Sequence, residues 1–288
     1  MNGFQDNPIF IRAKGDIHEG GSQRIGLMTS SNIRAIDRLF DVIEHLQMED
    51  GAGVTELASQ LDMPKSTIHS HLATLKNRGY VVKDGDDKYF LSLQFLVLGG
   101  SVRKKRTIYS QIQPLLKELA EETGESAVYF AEHDGKLVYV GKERAKEGLK
   151  SDLHAGFCAD IHRSPEGKLY LSYLPEKRRQ SIIDDIDFPI EGQVDRASLL
   201  AELEEIREQG YAYGDDCLLK NVTAISVPVI DNQNVLHGVV VVVGPSLRFD
   251  EDRIDDIIEL LKFKLSQFNI RITYEQSKSL NENKISTK

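Results

Sequence analysis

The stretch that most constrains the fold is "VTELASQLDMPKSTIHSHLATLKNRGYVVKDGDDKYFLSL", residues 54–93. Two helix-like segments flank the turn "LDMP". The second begins near Pro64, which is tolerated in a first helical turn, and ends at Gly79, which suits the left-handed position after a helix. The β-rich runs "YVVKD" and "KYFLSL" then flank a turn-prone Asp-Gly pair and predict a hairpin. With the helical periodicity of "NIRAIDRLFDVIEHLQMED" upstream, this order predicts a winged helix-turn-helix.

The second helix of this motif has an unusual outer face. Projection at 100° per residue places Ile68, Leu72 and Leu75 together as a buried line and small polar side chains opposite them. Small side chains permit close approach to a groove, and basic residues at the margins meet phosphates. An alternative is a solvated face of a protein-binding winged helix. We predict that DNA is contacted by Lys65, Ser66, Thr67, His69, Ser70, Thr74, Lys76, Arg78, Lys83 and Lys88.

The distribution of charge supports a DNA-binding N-terminal part within an acidic protein. The chain carries a net charge of −9. Residues 1–28 are neutral, residues 29–107 carry +1 and residues 108–288 carry −10. Between Lys65 and Lys83 there are four basic residues and no acidic one, so one face is positive although the domain is nearly neutral.

Length and composition exclude several classes of protein. A chain of 288 residues with 40% hydrophobic content favours two folded units. The longest apolar run, "HGVVVVVGP", is far shorter than the roughly 20 residues of a membrane span and favours a buried strand. Two cysteines are too few for a disulfide framework, and the N-terminus lacks the pattern of a signal peptide. We therefore expect a cytoplasmic protein without a membrane segment.

The rest of the chain alternates strand signals with amphipathic helices, which indicates an α+β domain built around an antiparallel sheet. The glycine-rich first residues and the polar last residues of the whole chain show no periodicity and are interpreted as disordered tails. The predicted organisation is a tail at 1–28, the winged helix-turn-helix at 29–92, a linker helix at 93–107, a sensor-type domain at 108–272 and a tail at 273–288.

Three stretches in order resemble the IclR family of transcriptional regulators. The winged-helix stretch contains the "PKST-hydrophobic-H" entry and "L-x-x-RGYV" exit of that family. "HRSPEGKLYLSYLPE" is similar to its "HATAxGKAxLAxLP" helix, and "EQGYAYGDDCLLKNVTAISVPVIDNQNVLHGVVVVVGPSLRF" is similar to its ending. The form "IHSHLATL" followed by "LSLQFLVLG" resembles archaeal members most.

The resemblance implies a non-enzymatic regulator that dimerises or forms tetramers and binds a palindromic operator in double-stranded DNA. It also implies a GAF-like or profilin-like C-terminal domain that binds a small organic effector. Where many relatives have arginine in the recognition helix this chain has Ser70, so its base preference is expected to differ.

Several departures concern the effector. The two serines of the family's last strand are Val241 and Val243, the position often occupied by cysteine is Ala224, and Pro165-Glu166 replaces a small-residue turn. Such groups hold the carboxylate of small acids in relatives, so we expect a larger, more apolar or aromatic effector, or loss of small-acid binding. The expected effector residues are Tyr129, Phe157, His162, Ser164, Asp215, Ala224, Val241 and Val243.

Two alternative functions remain open at this stage. One is a thiol- or metal-dependent redox sensor or enzyme, because His154, Cys158 and His162 recur at four-residue steps and would align on a helix. Gly156 interrupts that helix, so we expect no metal or other cofactor there, with His162 a structural residue at the pocket rim. The other alternative is a constitutive DNA-binding protein whose C-terminal domain only oligomerises.

Overall fold

The computed structural model describes residues 33–49, 51–105, 107–149, 153–186, 188, 195–215 and 219–285. These residues form two compact units that divide between Lys105 and Arg106. The predicted tail at 1–28 lies outside the described residues. We call the unit up to Lys105 the DNA-binding unit and the unit from Thr107 onward the effector unit, after the roles that the sequence predicts for them.

The DNA-binding unit consists of three helices, a two-stranded antiparallel hairpin and a fourth helix. Its fold confirms the predicted winged helix-turn-helix. The elements are α1 (Arg34–Met48), α2 (Val54–Gln60), α3 (Lys65–Asn77), β1 (Val81–Lys83), β2 (Tyr89–Leu91) and α4 (Gln94–Lys105).

The core of this unit follows from the apolar line of α3. Ile68 and Leu72 are fully buried and Leu75 nearly so, against Val42 of α1 and Leu57 of α2. Burial of such aliphatic side chains stabilises a fold by about 1.5–3 kcal/mol each. The backbone of Gly79 has φ +77°, so a residue without a side chain ends the helix and allows the immediate turn into β1.

Among its described residues, the effector unit contains five helices and six strands. They are α5 (Thr107–Thr123), β3 (Ser126–His133), β4 (Lys136–Arg144), β5 (Cys158–Asp160), α6 (Pro165–Tyr173), α7 (Glu176–Asp184), α8 (Arg196–Gln209), β6 (Ala212–Asp215), β7 (Val222–Ile230), β8 (Leu236–Pro245) and α9 (Glu251–Ile285). A short 3-10 turn at Ser246–Arg248 precedes α9. The strands form one antiparallel sheet in the order β5-β4-β3-β8-β7-β6, which confirms the predicted α+β domain.

The sheet is covered on both faces because its strands alternate between two cores. Along β8, Val240 and Val242 pack with α5 and α9, whereas Val239, Val241 and Val243 face the side of α6 and α8. This double burial explains why "HGVVVVVGP" reads as a continuous apolar run rather than an alternating one.

Two predicted boundaries change. The segment predicted as one linker helix at 93–107 comprises α4, ending at Lys105, and the start of α5 at Thr107. The segment 273–288 was predicted to be a tail, but α9 continues to Ile285. "EQSKSLNENK" contains neither glycine nor proline, so nothing in it terminates a helix, although it lacks the apolar periodicity by which helices are recognised.

Gly167 generates a prediction about packing under the sheet. A Cβ at this position of α6 would clash with the backbone carbonyl of Ile161, which has no flexible end to move away. We expect Gly167→Ala to destabilise the effector unit by about 1–3 kcal/mol, measured by urea unfolding followed by circular dichroism. Gly85→Ala, in open space at the hairpin turn, is the control and should leave unfolding unchanged.

Candidate DNA interface and effector pocket

The predicted contact residues of the DNA-binding unit lie at its surface. Lys65, Ser66, His69 and Ser70 are exposed on α3, and Thr67 is half-buried. The remaining predicted residues are also exposed: Thr74, Lys76, Arg78, Lys83 and Lys88.

The exposed hydroxyls of α3 are oriented by their own helix. Ser70 Oγ donates to the carbonyl of Ser66, and Thr74 Oγ1 donates to the carbonyl of Ser70, each at 2.9 Å. Because these protons are engaged, the hydroxyl oxygens present lone pairs outward and act as acceptors. In a major groove the matching donors are the amino groups of adenine and cytosine.

The hairpin is less basic than its two lysines suggest. Lys83 Nζ lies 2.5 Å from an Asp87 carboxylate oxygen and 5.5 Å from the centre of the Tyr89 ring. The hydrogen bond to Asp87 raises the pKa of Lys83. Asp84 accepts the backbone N–H groups of Asp86 and Lys88 and thereby shapes the turn. The ammonium of Lys83 is therefore partly neutralised, which a count of charges along the sequence does not reveal.

A pocket opens in the effector unit between the sheet and the beginning of α6. The empty space in and in front of it, open solvent included, is about 610 Å³. The walls are mainly aliphatic and aromatic, as is usual for small-molecule sites. They are formed by Ser126, Val128, Phe130, Tyr139, Lys142, Leu149, Leu153, Glu166, Gly214, Leu219, Val222, Ala224, Val241 and Val243.

Three of the eight expected effector residues lie in these walls: Ala224, Val241 and Val243. Tyr129 lies on the opposite face of the sheet, in the core with α5 and α9, where its hydroxyl donates to the carbonyl of His237 at 2.7 Å. Neighbouring residues of a strand point to opposite faces, so Val128 and Phe130 reach the pocket instead.

The other four expected residues do not form the wall of the pocket. Ser164 is buried and caps α6 by accepting the N–H of Gly167 at 3.2 Å. Asp215 is exposed, and its carboxylate accepts a hydrogen bond from the hydroxyl of Thr223. Its neighbour Gly214 lines the pocket. Phe157 packs against the core on the α6 side of the sheet. The ring of His162 stands 6.2 Å from that of Phe188, and burial lowers the pKa of His162.

An acidic and a basic side chain, Glu166 and Lys142, line the pocket although the sequence did not predict them there. Glu166, the second residue of α6, is 1% exposed, and neither of its carboxylate oxygens has a hydrogen-bond partner among the described residues. Burial raises the pKa of Glu166; its own N–H and the Ser164 hydroxyl lie near enough to oppose that shift in part, but neither reaches hydrogen-bond geometry with the carboxylate. Lys142 of β4 is half-buried; burial, and then the charge of Arg144, lower its pKa.

The alternative metal or thiol site is not assembled. His154 lies in a loop, Cys158 begins β5 and His162 lies in a turn, so the three do not share a helix face. In the part of the chain that the structure describes, no group of three His, Cys, Asp or Glu side chains is placed to hold a metal. Within the same residues, no helix is long and apolar enough to cross a membrane.

The fold and these two surfaces define a class of protein: a winged-helix DNA-binding unit joined to an α+β unit with a small-molecule pocket. Residues 35–85 match the IclR helix-turn-helix domain, and residues 101–267, more than half of the chain, match the bacterial transcriptional regulator IclR C-terminal domain. The chain belongs to the IclR family of transcriptional regulators, which confirms the resemblance found in its motifs. It is a DNA-binding regulator with a C-terminal effector-binding domain and not an enzyme.

Individual relatives agree with this assignment. The chain is 28% identical over 222 residues to a probable HTH-type transcriptional regulator ArcR from Halobacterium salinarum, covering 75% of this chain and 84% of that protein. An IclR regulator structure from Alicyclobacillus acidocaldarius has the same fold, with a TM-score of 0.70, 21% identity, and coverage of 83% of this chain and 99% of that one. The structure of an IclR homologue from Microbacterium hydrocarbonoxydans, complexed with 4-hydroxybenzoate, matches with a TM-score of 0.65 and 15% identity. The match covers 82% of this chain and 99% of that one.

The buried carboxyl of Glu166 generates a prediction about pH. Its pKa in the folded protein is raised above the ordinary value of 4.5, so the folded state binds more protons and loses stability as pH rises from about 4.5 through the raised pKa. Glu166→Gln removes this penalty. We expect the variant to be more stable than the wild type by about 1–3 kcal/mol at pH 7.5 and nearly equal at pH 4, measured by urea unfolding.

Glu204→Gln is the matched control, because Glu204 is exposed on α8. It should unfold like the wild type at both pH values. Loss of stability on Glu166→Gln at pH 7.5 would show that the carboxylate has a structural partner and would contradict the prediction.

Proposed function

We propose that this regulator binds a palindromic operator as a dimer, with α3 of each subunit in the major groove. The observation that carries the proposal is the outer face of α3, where exposed small polar side chains lie between the basic margins Lys65, Lys76 and Arg78. The exposed hydroxyls permit close approach to base edges, and the basic side chains bind phosphates. Chromosomal DNA as the ligand favours action in the cytoplasm.

Ser70 is the most informative position on this face. We expect Ser70→Glu to weaken operator binding by on the order of a hundredfold, because the new carboxylate places a negative charge beside the phosphate backbone and is repelled by it. Gel shift on the protein's own upstream region, over a series of salt concentrations, measures the effect. Affinity of the wild type should fall steeply with salt.

Ser70→Gln separates charge from size, because glutamine has nearly the shape of glutamate. It should bind DNA more tightly than Ser70→Glu and retain the salt dependence. Normal binding by Ser70→Glu, with the fold verified by circular dichroism, would show that α3 does not enter the groove.

The dimer is supported by apolar stripes on the DNA-binding unit. Ile33, Ile36 and Phe40 are exposed at helical spacing on and just before α1. On α4 and the residue before it, Leu93, Leu96 and Val97 are exposed, with Leu96 at 70%. Contiguous exposed apolar surface of this kind marks an interaction site, and a palindrome is matched by a second copy related by a two-fold axis.

We expect Leu96→Glu to weaken dimerisation at least tenfold, because the carboxylate would be buried without a partner in the interface. Analytical ultracentrifugation over a range of protein concentrations measures the change. Leu98→Glu, on another side of the same helix, is the control and should leave the dimer intact. Unaltered association of both variants would place the interface elsewhere.

The effector is proposed to be a small organic molecule with an apolar body that occupies the pocket of the effector unit. The aliphatic walls support this, as does 4-hydroxybenzoate in the related structure from Microbacterium. Effector binding would control operator binding by stabilising one arrangement of the dimer, and its influence equals the difference in its affinity for the two arrangements.

A further inference from the structure

Glu166 is unusual because its buried carboxyl faces the pocket without a hydrogen-bond partner in the described chain. A buried polar group left without a partner reduces the stability of the fold, and an apolar side chain of similar volume would avoid that cost. Packing therefore does not explain a glutamate at this position. A donor group on a bound ligand would provide the hydrogen bond that the carboxylate lacks. A positively charged nitrogen is the strongest such donor for a carboxylate.

Lys142 provides the opposite charge in the same pocket. Its side chain is half-buried on β4, next to Val128 of β3, and burial lowers the pKa of its ammonium. In the described residues it makes no ion pair within 4 Å, and the charged side chain that acts on it, Arg144, is also basic. A ligand carboxylate would relieve both the desolvation and the repulsion.

The two groups do not act on each other, since neither is among the charges that shift the pKa of the other. Helix α6, which carries Glu166, packs on β6, β7 and β8, whereas Lys142 belongs to β4. Strand β3 separates β4 from β8, and two strand spacings amount to about 10 Å. Between them the pocket wall is apolar, formed by Val128, Phe130 and Val241.

We propose that the effector is a small zwitterion that places a cationic nitrogen against Glu166 and a carboxylate against Lys142, with an apolar chain or ring between them. The inference rests on the proposed function of this pocket as the effector site and specifies the ligand it accepts. A simple organic acid would satisfy Lys142 and leave Glu166 unpartnered, and a simple amine would do the reverse.

Thermal shift and isothermal titration calorimetry on the full chain test the proposal with defined probes. The zwitterions are 4-aminobutyrate, 5-aminopentanoate, 6-aminohexanoate and 4-(aminomethyl)benzoate. Their single-charge analogues are pentylamine, hexanoate and benzoate. We expect at least one zwitterion to bind the wild type at least tenfold more tightly than the analogue that lacks either charge.

Charge-removing variants assign each end of the ligand. Glu166→Gln should weaken the zwitterion about tenfold or more and leave hexanoate or benzoate unaffected, whereas Lys142→Met should weaken it similarly and leave pentylamine unaffected. Glu204→Gln and Lys146→Met, both at exposed positions, are the matched controls and should bind like the wild type. The crossed pattern is specific, because general destabilisation of the pocket would weaken every probe alike.

Two other outcomes overturn the proposal in distinguishable ways. If the single-charge acids bind the wild type and Glu166→Gln as tightly as any zwitterion, the pocket remains an effector site but not for this class of ligand. If no probe and no other aromatic or aliphatic acid binds, while gel shift shows normal operator binding, the effector function of the pocket itself fails. That result would favour a constitutive DNA-binding protein.

Discussion

The effector unit depends on the burial of β8 on both faces in the middle of the sheet. Val240 and Val242 hold the helices α5 and α9, and Val239, Val241 and Val243 form the floor beneath α6 and α8. Since successive side chains alternate strictly, a shift of register by one residue would exchange the two faces and destroy both the core and the pocket. One strand thus fixes the hydrophobic core and the shape of the ligand site together.

Because that floor is entirely aliphatic, the polarity of the pocket comes from elements beside it. Glu166 enters from the first turn of α6, and Lys142 enters from β4 on the other side of β3. In the proposed effector site, the apolar floor would exclude water and supply non-directional affinity, and Glu166 and Lys142 would provide selectivity at a cost in stability.

The DNA-binding unit shows how far local patterns extend. The buried line Ile68, Leu72 and Leu75 is dictated by the period of the helix, and the structure places it as predicted. The charge that a lysine presents at the surface, by contrast, cannot be derived from the local sequence pattern. Lys83 has the same sequence character as Lys88, but its ammonium is paired with Asp87 across the turn of the hairpin. Pairing depends on distances between side chains, so a count of charges overestimates the positive surface of the hairpin.

The sequence by itself determined the family, the winged helix, the antiparallel sheet and the presence of a buried valine strand, because each depends on periodicity or on short motifs. Tertiary structure decided which face of β3 meets the pocket, so that Val128 and Phe130 line it and Tyr129 does not. It also decided that Glu166 is a pocket residue. In sequence this glutamate is an ordinary acidic residue in a first helical turn, and only the packing of α6 onto the sheet removes it from water and leaves its carboxylate without a partner.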